Sequence, residues 1–516
     1  MKTIRLFQAS IFLTLTFIVA GCANDEAKTE QQGTNGTPAE TTVFSGETNP
    51  STTTRTAIVD HTKDAGANVI WAATDKVWVK DDASTWQQSG AATFPVATNK
   101  AKAMFSLNGT YTGTTHDVIY TNLPITGTPQ VEIKAAQSQA TPNNFDHAGA
   151  SGDCAIATAR GGNGSYSFLL THKSSYLCFL PRCMNVDLGK NIYLTKVTIT
   201  ADKPIAGTFN IAGGSIAGNA PTANSSNTIT LTTTNFPLNT TVADVTKNAA
   251  YMVIAPGTYN FTIGYTIKDP ATNVEGTITK TLTAFTCDEG KIHDITANLT
   301  PTDYDGKHYY MWDAQQNYWF GHEWNSPNHH QPTLLSGYNS NYPTSADPNR
   351  WYNPGYYGNG VSTPAGTAFF STLPNINELI WYIMQGHPHW DATQLWSLMG
   401  HLYQGGMWFK KRANISGFSS TQYGGVDYRA AVSRFVNASV KARPANIDEF
   451  FFLPALGYYW QGNFNVLGEG GDYWSSSAYP YDPNFAYDMF FNKYGAEVAN
   501  VNERYYGFYA SYGLFK

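Results

Sequence analysis

The sequence predicts a mainly β chain of several domains, and three observations carry that reading. In Asn260 to Asp269 (NFTIGYTIKD) the residues Phe261, Ile263, Tyr265 and Ile267 fall on one face, while Thr262, Thr266 and Lys268 fall on the other. Such strict alternation is the period of a half-buried antiparallel strand. Ala250 to Gly257 (AYMVIAPG) is instead a continuous apolar run of the kind a fully buried strand needs. Composition points the same way: 45 glycines, 32 tyrosines and many threonines favour strands and turns over long helices.

At 516 residues the chain exceeds one hydrophobic core, and length suggests about two to four domains. A formal charge of −6 with 14% charged residues leaves no basic cluster to track phosphates, so no nucleic-acid partner is expected.

Met1 to Gly21 reads as an export signal, with Lys2 and Arg5 before the apolar run Leu6 to Ala20. That run is too short and too poorly flanked for a stable membrane span. It ends Val19-Ala20-Gly21-Cys22, which resembles a bacterial lipobox. The resemblance implies cleavage before Cys22, acylation of that residue and an outer-membrane anchor, since two or three acyl chains hold a protein on a bilayer durably. Asp25 and Glu26 resemble the acidic tag that marks surface export in Bacteroidetes-type lipoproteins. Ala23 to Thr54 is a tether by composition, with one faint strand at Thr41 to Ser45.

Arg55 is the only lysine or arginine between Lys28 and Lys63, within TTTRTAIVD. Together with NVIWAATDKVWVKDD (Asn68 to Asp82) and SFLLTHKSSYLCF (Ser167 to Phe179), this stretch resembles fimbrillin-family domains, the subunits of type V pili. The family implies two successive β-sandwiches, dividing near Gly164. It also implies an Arg-specific cut between Arg55 and Thr56, and partnership with other pilus subunits by strand exchange.

The C-terminal end is aromatic to an unusual degree, with 22 rings in the 71 positions from Asn446. With YYMWDA (Tyr309 to Ala314), LPNINELIWYIMQG (Leu373 to Gly386) and MWFKKR (Met407 to Arg412), it resembles the FISUMP-type major paralogous domain, whose topology is C-type-lectin-like. In the second of these stretches Ile376, Leu379, Ile380, Ile383 and Met384 form one apolar helical stripe. Asn375 and Glu378 stand at capping-box spacing. The fold expected is thus two tandem fimbrillin-like β-sandwiches followed by an α+β C-type-lectin-like domain. Its divisions are a signal peptide (1–21), tether or pro-segment (22–54), first sandwich (55–164), second sandwich (165–300), linker and module entry (301–342) and lectin-like module (343–516).

Residues for chemistry are sparse. Besides Cys22, the chain holds Cys154, Cys178, Cys183 and Cys287, which pair in three ways or stay free in sandwich cores. None shows C-x-x-C spacing, and HEWNSP at His322 is not H-E-x-x-H, so no metal or cofactor is expected. Sulfatase-modifying oxidases share the lectin-like topology but need cysteines there, and none follows Cys287. The Glu-Pro-Asn and Trp-Asn-Asp tripeptides of calcium-dependent lectins are absent, leaving Glu469 and Asp472 as nearby oxygen donors. No catalytic residue is nominated and no enzyme is expected. Tyr459, Trp460, Tyr479 and Tyr481 flank turn residues and are the candidate ligand platform. The expected function is a cell-surface fimbrial tip or accessory adhesin that contacts a host or bacterial glycan or protein. The alternative is a surface glycan-binding lipoprotein that never polymerises.

Overall fold

The computed structural model describes residues 42–47, 57–216, 220–354 and 365–516. Cys22, Arg55 and Thr56 lie outside these residues. The fold is mainly β, with several sheets. No helix among the described residues is long and apolar enough to cross a membrane.

The first sheet runs Trp86–Gln88, Trp78–Lys80, Thr115–Tyr120, Ala155–Gly162, Ser165–Leu169, Thr42–Glu47, Ala103–Leu107. The stretch read as tether therefore supplies an interior strand. Thr42–Glu47 pairs parallel with Ser165–Leu169 and antiparallel with Ala103–Leu107. Its alternation is faint because Phe44 is the one large hydrophobe on its buried face, beside Thr42 and Gly46. Phe44 is fully buried, stacked on Tyr166 at 4.8 Å and edge-on to Tyr111 at 5.1 Å. Gly46 crosses above Trp71 and Phe168 so closely that a Cβ there would meet each ring at 2.9 Å.

The division expected near Gly164 falls in the turn between two strands of this same sheet. Ser167 to Phe179 spans two sheets: Ser165–Leu169 belongs to the first, whereas Ser175–Arg182 is central in a second layer. There it pairs with the uniformly buried strand Ala250–Ile254 and, in parallel, with Ile292–Asn298. The opposing sheet contains Gly257–Asp269, whose burial alternates as its sequence does. The halves also interleave. Gln130–Ile133 pairs with Ala206–Ala212, and Ala136–Gln139 with Thr228–Pro237. Gln137 and Gln139 then turn their side-chain amides onto the free edge of Ala250–Ile254. Each accepts from a backbone N–H there (Val253, 2.9 Å; Tyr251, 2.7 Å) and donates to a carbonyl. An edge that would stay unpaired inside the protein is thereby satisfied. All four described cysteines are buried and free, so none of the three pairings forms.

Residues 301–342, read as linker and entry, are built into the C-terminal module. Thr302–Tyr304 pairs with His389–Leu398, Tyr309–Tyr310 pairs with Phe508–Tyr509, and Trp312, Tyr318 and Trp319 are buried. Two sheets face each other, one centred on the hairpin His389–Leu398/His401–Lys410, the other on Gly470–Ala478, Phe485–Asn492 and Gly495–Glu503. The helix Ile376–Gln385 closes the core with Ile376, Leu379, Ile380 and Ile383, and Asn375 and Glu378 form the anticipated capping box.

Candidate ligand-binding surface

Two features of the module's surface follow from local sequence. The first is a row of rings. Tyr458–Trp460 is a short strand whose residues alternate half-buried, buried and exposed. Tyr459 is consequently a core residue, with its hydroxyl donating to Pro332 O (2.5 Å) and its ring stacked on Phe464 at 4.3 Å. That corrects its nomination as a platform residue. Trp460, 38% exposed, turns outward and begins a series of near-parallel rings. Trp460 to Tyr506 is 6.2 Å at 15°, Tyr506 to Tyr505 is 5.5 Å at 12°, and Tyr505 to Trp351 is 6.4 Å at 14°.

Arg504 holds this row in place. Although a cation, it is fully buried: Nε donates to Phe485 O, Nη1 donates to Asn353 O, and the guanidinium lies 4.4 Å from the Trp312 ring centre. The loop carrying Trp351 is thus fixed beside Tyr505 and Tyr506. Asp313 fixes the same loop from within, accepting from Asn353 Nδ2, Gly366 N and both Thr367 donors at 2.7–2.9 Å. Tyr481 is 59% exposed and edge-on to the half-buried Tyr479, at 5.8 Å. Of the four nominated rings, Trp460 and Tyr481 are exposed, Tyr479 is half-buried and Tyr459 is enclosed. Trp351, Tyr505 and Tyr506 were missed, because their alignment with Trp460 comes from loops far apart in sequence.

The second feature is a cleft of ≈ 520 Å³ between the two sheets' edges. Its floor contains Gly405, Gly468 and Gly470, and its walls include Trp390, Phe490 and Tyr494. Gly405 has φ +96°, and a Cβ there would press on Trp390 (3.3 Å) and on Gly468 O (3.1 Å), so only glycine leaves this floor open. Gln404, Glu469 and Asn492 put polar atoms around it, and Tyr494, 73% exposed, stands at the rim. Rings beside a few amides and a carboxylate suit a polyhydroxylated ligand with apolar C–H faces.

Glu469 is exposed at this rim, whereas Asp472 is buried on Gly470–Ala478. Burial, then the nearby charges of Asp488 and Glu497, drives the Asp472 carboxyl well above the usual range. Burial raises Asp488 to about 8, although Asn502 Nδ2 donates to it at 2.9 Å. Burial thus favours the neutral form of both carboxyls, while Glu469 stands apart at the exposed rim.

No family model matches the chain, and no curated protein matches it. Among solved structures it is similar to a candidate cell adhesion protein from Bacteroides ovatus, at 12% identity over 49% of this chain and 92% of that one (TM-score 0.31). A candidate cell adhesion protein from Bacteroides uniformis is similar at 16% identity over 50% and 95% (TM-score 0.30). A fimbrilin from Porphyromonas gingivalis is similar at 11% identity over 51% and 94% (TM-score 0.24).

Proposed function

We propose that the chain is the precursor of an adhesive fimbrial subunit: it is acylated at Cys22 and held at the surface until cleavage after Arg55 removes that anchor, and the matured subunit displays its C-terminal module to a glycan or protein ligand. It performs no catalysis. One observation carries the reading: Thr42–Glu47, upstream of Arg55, sits between Ala103–Leu107 and Ser165–Leu169. Removing that strand would strip backbone partners from both neighbours and uncover the site of Phe44. Unpaired N–H and C=O groups beside an apolar slot are costly in water and favour uptake of another chain's strand. The incoming strand must place a large ring where Phe44 lies and a glycine where Gly46 crosses Trp71. Phe508–Tyr509 and Phe515 are bound inside the module, so those residues are not available for donation. A subunit that accepts but does not donate belongs at a fibre tip.

Mass spectrometry of surface-sheared fibres tests the proposal. A mature chain beginning at Thr56 and found in fibres supports it. A chain keeping residues 22–55 and absent from fibres replaces it with a static glycan-binding lipoprotein. The ligand surface is tested separately on an immobilised glycan array, with Trp460→Ala and Tyr494→Ala as the diagnostic variants.

A further inference from the structure

Outside the module, a second site is built by sheet register. Cys178 lies in the central strand Ser175–Arg182, directly opposite Tyr251 on one side and Asp294 on the other. Residues at one register share a face of the sheet. His61, from the strand Ala57–Thr62, comes down over that face, and its side chain is 1% exposed. One ligand atom each of His61, Cys178 and Asp294 lies within 4.8 Å of the others.

The hydrogen bonds fix which nitrogen of His61 faces the cluster. The Tyr251 hydroxyl donates its one hydrogen to Asn143 Oδ1 at 2.8 Å, so it accepts from His61 Nδ1 at 3.0 Å. The Nε2 of a neutral His61 then carries a lone pair, pointed at Asp294 Oδ1 3.4 Å away. Among the described residues neither atom has another nitrogen or oxygen partner, both are buried, and the Cys178 thiol is the further group within reach of the Asp294 carboxylate. An imidazolium–carboxylate pair would close to about 2.7–2.9 Å. A separation of 3.4 Å instead matches the edge of a tetrahedron whose metal bonds are about 2.0–2.1 Å.

We propose that His61 Nε2, Cys178 Sγ and Asp294 Oδ1 form a binding site for a borderline divalent cation of the zinc class, with a water as fourth ligand. The expectation of no metal site looked for ligands close in sequence; these three come from strands 117 and 116 residues apart and meet only through folding. An imidazole, a thiolate and a carboxylate are a donor set suited to zinc rather than to magnesium or calcium. The His61 Nδ1–H to Tyr251 bond is the outer-shell contact that orients a ligating histidine. A metal here clips the strand that follows Arg55 onto the second sandwich.

The test uses the untagged chain carrying Cys22→Ser, which removes the fifth thiol, equilibrated with zinc or cobalt and desalted. The expected result is one metal per chain, with a thiolate-to-cobalt charge-transfer band in the near ultraviolet. Cys178→Ser should abolish the band. His61→Gln, on a strand peripheral to the second sandwich's core, and Asp294→Asn should each weaken zinc binding at least about ten-fold. Paired changes His329→Ala and His330→Ala should leave it unaltered. Absence of the cobalt band, or zinc uptake that His61→Gln and Asp294→Asn leave unchanged, overturns the proposal.

Discussion

The carboxylate of Asp269, at the end of Gly257–Asp269, accepts from the backbone nitrogen of Leu402 at 3.0 Å. The same oxygen accepts from His401 Nδ1, also at 3.0 Å, and the other accepts from Ala271 N. Asp269 thus ties the sheet that contains Gly257–Asp269 to the hairpin His389–Leu398/His401–Lys410 of the module. Thr272, which donates to Leu402 O, and Leu395, packed over Gly276, complete the joint.

Asp269→Ala should loosen this joint without unfolding either side. It leaves the buried Leu402 N–H without its acceptor, a loss of about 1–3 kcal/mol. Small-angle scattering should show a broader distribution of maximum dimensions, and limited proteolysis should cut faster near Pro301. Burial alone would raise this carboxyl, but the bonds from His401, Leu402 and Ala271 outweigh it and hold it below the usual range. Its contribution is therefore present above about pH 4 and fades as pH falls through the lowered value. Scattering in a pH series down to about 2.5 checks the direction.

Asp488 should give the opposite sign. Its carboxyl is raised to about 8 by burial, so the folded module binds a proton that the unfolded chain has released above about pH 4. Module stability should fall as pH climbs from about 4 to about 8. Asp488→Asn should reduce that slope, leaving the part set by the likewise raised Asp472, while keeping an acceptor for Asn502. Urea melts at pH 5, 6.5 and 8 measure it; a parent protein equally stable at all three would reject the assignment.

The helix Ile376–Gln385 separates a small effect from a large one. Asn375→Ala removes the acceptor for Asn377 N and Glu378 N, and caps of this kind contribute about 1 kcal/mol. Leu379→Asp places an unpaired charge at a fully buried position and should cost several kcal/mol. A fragment spanning 301–516 should melt cooperatively with Asn375→Ala and lose its transition with Leu379→Asp.

Gly46→Val should weaken the hold on the N-terminal strand. The added side chain meets Phe168 and Trp71 inside a packed core, an overpacking cost of about 1–3 kcal/mol. Hydrogen exchange at the amides of Ala103–Leu107 should accelerate accordingly. Glu47→Gln, at an exposed position whose carboxylate pairs with Lys102, should leave it within about 0.5 kcal/mol of the parent.

What could be read from sequence was what a local pattern encodes. The alternation of Phe261, Ile263, Tyr265 and Ile267, the unbroken run at Ala250–Ile254 and the Asn375–Glu378 cap each declare themselves within about ten residues. Pairings across the chain do not. Nothing in QVEIKAAQSQ marks Gln130–Ile133 and Ala136–Gln139 as strands of the second half. In the run GYYW, composition makes Tyr459 and Trp460 equal candidates for the surface. Only the strand's register sends Tyr459 inward and Trp460 outward, because a shift of one residue exchanges the faces. The cleft was hidden for a related reason, since its floor is defined by what Gly405, Gly468 and Gly470 lack.

The position of Thr42–Glu47 also orders events in time. Val43 meets Ser106 on one side and Ser165 on the other, so this strand, the first among the described residues, waits for a partner 122 residues downstream. Contacts that close long loops form late, and an interior strand has no complete slot until both neighbours exist. As the chain is made, Phe44 and its neighbours remain without their pocket until Ser165–Leu169 has emerged. The remainder of that sheet must therefore reach its arrangement with the slot still vacant, and the sheet that awaits its own first strand is already, for that interval, a sheet able to receive a different one.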